Sequence, residues 1–266
     1  MKTIGVIGCG VVGGAVANGF AQRGLKVRTF DKFKPEHDDL DAMMLTAEAV
    51  FICVPTPTLA NGDQDISALE EVFAVLRGRS YAGYIVVKST VLPGTTARLA
   101  KQFKFTKVAH NPEFLTAARP LEDFNDQPAV LIGSADADTA TAIGGMYADL
   151  GFGNVMCLES PTETELAKYM HNLHLSIKVS FCNEMYEACE SLGVKYNSVR
   201  YATIMMGGIG HGHTAVPGPD GKRGFGGMCF PKDTSAFAKW ANQNAICALT
   251  LSGAILTNKA VRVEES

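Results

Sequence analysis

Two hydrophobic rhythms divide the chain. Through the first half, short runs rich in β-branched residues (TIGVIG, KVRTF, AVFICV, YIVVKS, KVAH and AVLIG) alternate with stretches whose apolar residues recur at helical spacing. That alternation is the mark of βαβ units, and with right-handed crossovers it predicts a doubly wound parallel sheet, a Rossmann-type α/β domain over residues 1–159. A last short run, NVMCL, closes the pattern. Beyond it the spacing predicts an all-α domain over residues 160–266, organised on one long central helix. Ser160, Pro161 and Glu163 make a helix start and Gly193 a stop, with over 30 residues between them. Such a helix spans about 45 Å at 1.5 Å per residue, more than a small domain needs. It is therefore expected to link two units. Its apolar residues Leu166, Met170, Leu173, Ile177 and Phe181 either pack on their own chain or face a second subunit, and a homodimer is the expectation. GGIGHGHTAVPGPDGKRGFGG follows, with nine glycines in 21 residues, too many for regular structure without help. Two further helical segments close the chain.

Composition narrows the class. A chain of 266 residues, 47% hydrophobic and 19% charged, can bury one large core or two modest ones. Its net charge of -3, with no basic run longer than two, argues against nucleic acid or an acidic membrane surface as partner. Seven cysteines form no Cys-x-x-Cys pair, and an odd number suits a reducing cytoplasm better than a disulfide framework. The N-terminal stretch has the outline of a signal peptide, but six glycines between Gly5 and Gly19 suit a phosphate turn better than a membrane-inserting helix. No run of 18 apolar residues predicts a membrane span.

The candidate cofactor site begins at Gly8-Cys9-Gly10-Val11-Val12-Gly13, between a predicted strand and a predicted helix, with Asp31 at the end of the second strand 23 residues after Gly8. In that context G-x-G-x-x-G reads as a dinucleotide turn. Gly8 allows the tight bend, Gly10 lets the backbone approach a pyrophosphate, and Gly13 lets helix and strand pack closely. Asp31 can accept both ribose hydroxyls and would repel a 2′-phosphate, which favours NAD; Lys32 and Lys34 leave NADP open.

Candidate chemistry lies further on. Lys168 and Asn172, four apart, leave one face of the long helix and can hold a substrate oxygen between an ammonium and an amide; a plain exposed pair is the other reading. Glu113, in Asn111-Pro112-Glu113 after KVAH, sits where a strand end meets a ligand crevice, or else caps a helix. Cys229, in GFGGMCFPKD, precedes a helix whose first turn holds Pro231, Lys232 and Asp233. There the helix dipole and Lys232 favour a thiolate able to capture an aldehyde; a buried inert cysteine is the alternative. His211 and His213 form an H-x-H pair that lacks further ligands for a metal, so no metal site is assigned.

GFGGMCFPKD, STVLPGTT, NPEFL, VFICVPTPT and ELAKYMHN, together with the glycine turn, resemble the UDP-glucose/GDP-mannose dehydrogenase family. The resemblance implies a four-electron oxidation of a nucleotide sugar's primary alcohol to a uronic acid, with two NAD molecules used in succession. It implies Cys229 as nucleophile, Lys168 and Asn172 as oxyanion stabilisers, and Asp233, Thr90 and Glu113 in proton transfer and water chemistry. By the same resemblance the cofactor touches Val54, Pro55, Thr56, Ser89, Thr90 and Lys232. The substrate touches Glu113, Phe114, Leu115, Phe225 and Gly226, and its diphosphate is offered His211, His213, Lys222 and Arg223, in part across a dimer. Two departures stand out. Ala117 occupies the place of a second acid usual in the family. Family members also normally continue into a second α/β domain that grips the nucleotide, whereas this sequence stops at KAVRVEES, as a short form without that domain or a piece of a longer chain. Two other readings stay open: a two-electron hydroxyacid-type dehydrogenase, which needs no thiol, and a non-catalytic dinucleotide-binding subunit.

Overall fold

A computed structural model describes residues 1–37, 39–116 and 118–262. The chain divides into two units, the first formed by residues 1–57 and 64–168 and the second by residues 58–63 and 169 onward.

All seven β-rich runs form strands of one sheet in the first unit: β1 (Thr3–Ile7), β2 (Lys26–Phe30), β3 (Ala49–Ile52), β4 (Tyr84–Val87), β5 (Val108–His110), β6 (Val130–Gly133) and β7 (Val155–Leu158). Their order is β2-β1-β3-β4-β5-β6-β7, so the winding reverses between β1 and β3, and a ligand crevice is expected at the carboxyl ends there. The connecting helices are α1 (Val11–Gln22), α2 (Leu40–Thr46), α3 (Ser67–Gly78), α4 (Thr95–Phe103), α5 (Pro120–Asn125) and α6 (Ala137–Asp149).

The period of two fixes what each face buries. In β3, Ala49 and Phe51 enter one core layer while Val50 and Ile52 enter the other; Val86 of β4 joins the first, and Ile85 and Val87 the second. The first layer is aromatic at its centre, where Phe20 of α1 lies 5.0 Å from Phe51 and 5.3 Å from Tyr147. Fully burying each such side chain stabilises the fold by about 1.5–3 kcal/mol. The sheet departs from the all-parallel expectation at one place: β5 and β6 pair antiparallel, through His110 and Gly133. The short α5 is the reason. Instead of crossing the sheet between β5 and β6, it packs back on α1, with Phe124 edge-on to Phe20 at 5.2 Å.

The long helix is α7 (Pro161–Ser191). Its start is a capping box: the Ser160 amide donates to Glu163 Oε2 (2.9 Å) and the Thr162 amide to Ser160 Oγ (3.1 Å). Its stop is Gly193, at φ +66°, a conformation that favours glycine. Near its start, buried Glu165 accepts from the amides of Gly94 (2.6 Å) and Thr96 (2.8 Å), tying α7 to the first turn of α4.

The second unit holds the rest of α7 with α8 (Tyr196–Met205), α9 (Phe230–Gln243) and α10 (Leu249–Val261). Tyr169 of α7 stacks on Phe237 of α9 at 5.3 Å, and Ser180 Oγ donates to the Ala254 carbonyl of α10 at 2.8 Å. Between α8 and α9 the glycine-rich segment has no regular structure. Side chains hold it instead: Lys178 Nζ donates to Gly210 O (2.8 Å), Tyr196 Oη to Thr214 O (2.7 Å) and Arg200 Nε to Thr214 Oγ1 (2.7 Å). The apolar residues of α7 do not share one fate. Leu166, Met170 and Phe181 are exposed, Ile177 is half-buried, and Leu173 turns inward on its own chain, out of the stripe expected to face a partner.

Candidate active site

The dinucleotide turn is built by glycines that cannot be exchanged for one another. Gly8 sits at φ +87°, and a Cβ there would lie 2.7 Å from the Cys53 carbonyl oxygen. A Cβ on Gly13 would fall 1.8 Å from the Gly8 carbonyl oxygen, so α1 approaches β1 this closely only because Gly13 lacks one. Gly10 differs: a Cβ there would meet nothing within 4 Å, and it caps α1 with no side chain over the first amides. Val11 is exposed and Val12 half-buried in that first turn. Open space before uncapped helix amides is what a pyrophosphate requires, so the turn fits a dinucleotide.

Asp31 follows β2, with Oδ2 accepting from the Cys9 amide (2.7 Å) and Oδ1 from the Phe33 amide (3.0 Å). Burial pushes its carboxyl up, but these two amides, with Lys34 and His37, outweigh it and hold the group below the ordinary aspartate range. Both neighbouring lysines are engaged within the protein: Lys32 pairs with Glu71 (2.7 Å) and Lys34 Nζ donates to the Cys9 carbonyl (2.7 Å). Asp31→Ala is expected to weaken NAD binding about 10- to 100-fold, the worth of hydrogen bonds to a charged acceptor, and to narrow the preference over NADP. Titration of both cofactors checks it, and an unchanged NAD/NADP ratio would mean that Asp31 does not read the ribose.

The loops after β3 and β4 are stitched together. Ser89 Oγ donates to the carbonyl of Val54 (2.7 Å), which precedes Pro55, while the Thr90 carbonyl accepts from Thr56 Oγ1 (2.6 Å) and Gln64 Nε2 (2.9 Å). Next along the sheet, after β5, comes the loop with Glu113. Its carbonyl accepts from Lys168 Nζ at 2.6 Å, its Oε1 lies 3.2 Å from the same ammonium, and its Oε2 accepts from the Leu115 amide at 2.8 Å. The Lys168 ammonium also lies over the Phe114 ring, 5.1 Å from its centroid. Lys168 and Glu113 thus form a buried ion pair rather than the exposed lysine the spacing alone allows. Phe114 and Leu115 line a cavity of about 320 Å³ with Arg119, Glu122 and Asp123. Ala117 lies outside the described residues.

In the second unit, Asn172 is buried and donates from Nδ2 to Asp233 Oδ2 at 2.6 Å. The other Asp233 oxygen accepts from Lys232 Nζ at 2.5 Å, so the Lys232 ammonium is engaged with this carboxylate. Cys229 is the N-cap residue of α9, exposed, and its carbonyl accepts from the Asp233 amide at 2.8 Å. The glycines before it are held from α10: Asn258 Oδ1 accepts from the Phe225 amide (2.6 Å), and a Cβ on Gly226 would fall 2.2 Å from the Arg262 guanidinium. His213 stacks on Phe230 at 5.6 Å, and His211 lies 6.1 Å from Tyr201. Lys222 is half-buried on the loop, whereas Arg223 commits its guanidinium to Glu187 (2.9 Å), Asn183 (3.3 Å) and the Tyr186 ring. Among the described residues no group of three or more His, Cys, Asp or Glu could hold a metal ion.

Sequence reasoning missed several residues that shape these sites. Lys88, Tyr147 and Gln64 are scattered polar positions in apolar or loop stretches. Asn258 and Arg262 stand more than 30 positions from the loop they hold. No local pattern marks any of them.

Comparisons with known proteins bear on the family and the fold. A model of the NAD binding domain of the UDP-glucose/GDP-mannose dehydrogenase family matches residues 36–151, and one of that family's central domain matches residues 162–260. The chain is 34% identical to the UDP-glucose 6-dehydrogenase of Pseudomonas aeruginosa, over 90% of this chain and 61% of that protein. It is 31% identical to the GDP-mannose 6-dehydrogenase of Azotobacter vinelandii, over 82% and 52% respectively. The structure of a UDP-glucose dehydrogenase from Pyrobaculum islandicum matches with a TM-score of 0.85 at 29% identity, covering 98% of this chain and 68% of that one. The chain therefore spans only 61% and 52% of the length of these two curated relatives. With both family domains matched in sequence and the glycine turn shaped for a dinucleotide, the chain belongs to the UDP-glucose/GDP-mannose dehydrogenase family, and its cofactor is NAD.

Proposed function

We propose that this protein oxidises the primary alcohol of a nucleotide sugar, UDP-glucose or a close relative, to the uronic acid through a covalent adduct on Cys229. The observation that carries this reading is an exposed thiol at the N-cap of α9, one turn before a buried carboxylate held by Asn172 and Lys232. A two-electron dehydrogenase has no use for that thiol, and a non-catalytic subunit has no use for the buried polar pairs.

NAD, when bound, supplies the hydride acceptor for each of two successive oxidations. In the first, the alcohol loses a hydride and a proton and becomes an aldehyde. The Cys229 thiolate then adds to the carbonyl carbon, and the negative charge arriving on oxygen is met by the Lys168 ammonium and the Asn172 amide. Glu113 and Asp233 fix those two donors in one orientation, so little reorganisation accompanies the developing charge. Loss of a second hydride converts the thiohemiacetal to a thioester. Water attacks the thioester, the C–S bond breaks, and the acid and the thiol are released. Thr90 and Glu113 assist that water and Asp233 takes part in proton transfer, with Thr90 held through its carbonyl by Thr56 and Gln64. Screening UDP-glucose, UDP-N-acetylhexosamines and GDP-mannose for NADH formation tests the proposal; no NADH from any of them would refute it.

We further propose a homodimer built on α7. Leu166, Met170, Phe181 and Met185 recur along it at spacings of four and eleven, and Met170 and Phe181 are 77% and 53% exposed. Light scattering at micromolar concentration is expected to give at least a dimer, and Phe181→Asp with Met170→Asp a monomer. A fully active wild-type monomer would overturn the assembly. The odd number of cysteines and the absence of a Cys-x-x-Cys pair support a reducing compartment, the cytoplasm.

A further inference from the structure

Lys88 follows β4 and is 2% exposed. Its ammonium donates to the side-chain oxygen of Asn111 (2.8 Å) and to the Asn111 carbonyl (3.1 Å), both neutral acceptors. Holding a charge in a dry site with no carboxylate directly on it is expensive, and burial pushes this ammonium down to about 8, with Cys53 and Glu113 pulling it up and Lys168 pushing it further down. A core position that only needed filling would be better served by methionine.

The partner explains the arrangement. Asn111 is held from several sides: its Oδ1 also accepts from Tyr147 Oη (2.6 Å), its Nδ2 donates to Leu131 O (2.8 Å) and its amide to Val87 O (2.8 Å). Pro112 follows, with φ fixed by its ring, and then Glu113, which meets Lys168 through both its carbonyl and its carboxylate. Nothing between Asn111 and Glu113 can swivel freely once Asn111 is held. We propose that Lys88 is a positioning residue that, through Asn111, fixes the loop 111–115 so that Glu113 and the Lys168 ammonium meet in one geometry. Its influence on turnover rests on the proposed function; its influence on the loop does not.

The test uses the full chain and reads both. In Lys88→Met, hydrogen exchange at the Leu115 amide, which donates to Glu113 Oε2, is expected to accelerate by about tenfold or more while the Phe51 amide in the sheet core stays protected. NAD affinity is expected to stay within about twofold of wild type, because the glycine turn is untouched. With UDP-glucose or whichever nucleotide sugar is turned over, kcat is expected to fall on the order of 10²-fold, the usual cost of a small misplacement. Adding Lys88→Met to Glu113→Gln should then lower kcat no further. Unchanged Leu115 exchange, equal acceleration at Leu115 and Phe51, or kcat losses that multiply in the double variant would each overturn the proposal. If the wild type oxidises no nucleotide sugar, the functional reading falls and Leu115 exchange alone decides Lys88. Should Lys88→Met not fold, Tyr147→Phe, which removes the other donor to Asn111 Oδ1, carries the same comparison.

Discussion

Replacing Cys229 with serine is expected to cut formation of the uronic acid by about 10³-fold or more while leaving NAD affinity within about twofold of wild type. A hydroxyl at the same N-cap is far less acidic than a thiol, so almost none of it is ionised near neutral pH, and the aldehyde goes uncaptured. The glycine turn that fits a dinucleotide lies in the other unit of the chain, so the substitution leaves it untouched. Chromatographic analysis of product with calorimetric titration of NAD checks both halves. Acid formation at the wild-type rate would remove Cys229 from the chemistry.

The second large effect separates two glycines of one motif. Gly13→Ala forces a methyl to within 1.8 Å of a backbone oxygen, so the turn has to open. The expected result is destabilisation by about 1–3 kcal/mol, as for overpacked cores, together with loss of NAD binding. Gly10→Ala puts its methyl into open space within the protein, so the melting temperature should hold and only the close approach of the pyrophosphate should suffer. Thermal unfolding and NAD titration of both variants decide it. A Gly10→Ala protein that binds NAD as wild type does would mean that the pyrophosphate does not pass this residue.

What the sequence could announce depended on locality. The seven strands were legible because β-branched runs bounded by turn residues encode themselves over four to six positions. The ends of α7 were legible for the same reason, since Ser160 with Glu163 and Gly193 are local signals. Helix α8 was not: among its ten residues only Tyr196 is buried, so its apolar positions trace no face. The reversal of β6 was hidden too, because it follows from α5 packing on α1, a contact over a hundred positions apart in sequence. At the candidate site the glycine turn, Lys168, Asn172 and Cys229 stood out through motifs. The burial of Lys168 and Asn172 did not, since a lysine and an asparagine four apart on a helix look the same whether a carboxylate waits across from them or water does. Lys88 is the extreme case: a single lysine after YIVV reads as the end of a strand until Asn111, itself held by Tyr147, accepts from its ammonium.

The measurement that bears most directly on the central claim is the stoichiometry of NADH against acid product, with the purified protein, excess NAD and a limiting amount of the accepted nucleotide sugar. Covalent capture at Cys229 is expected to give about two NADH for each uronic acid, with no free aldehyde accumulating. One NADH for each molecule of substrate, ending at the aldehyde, would contradict it.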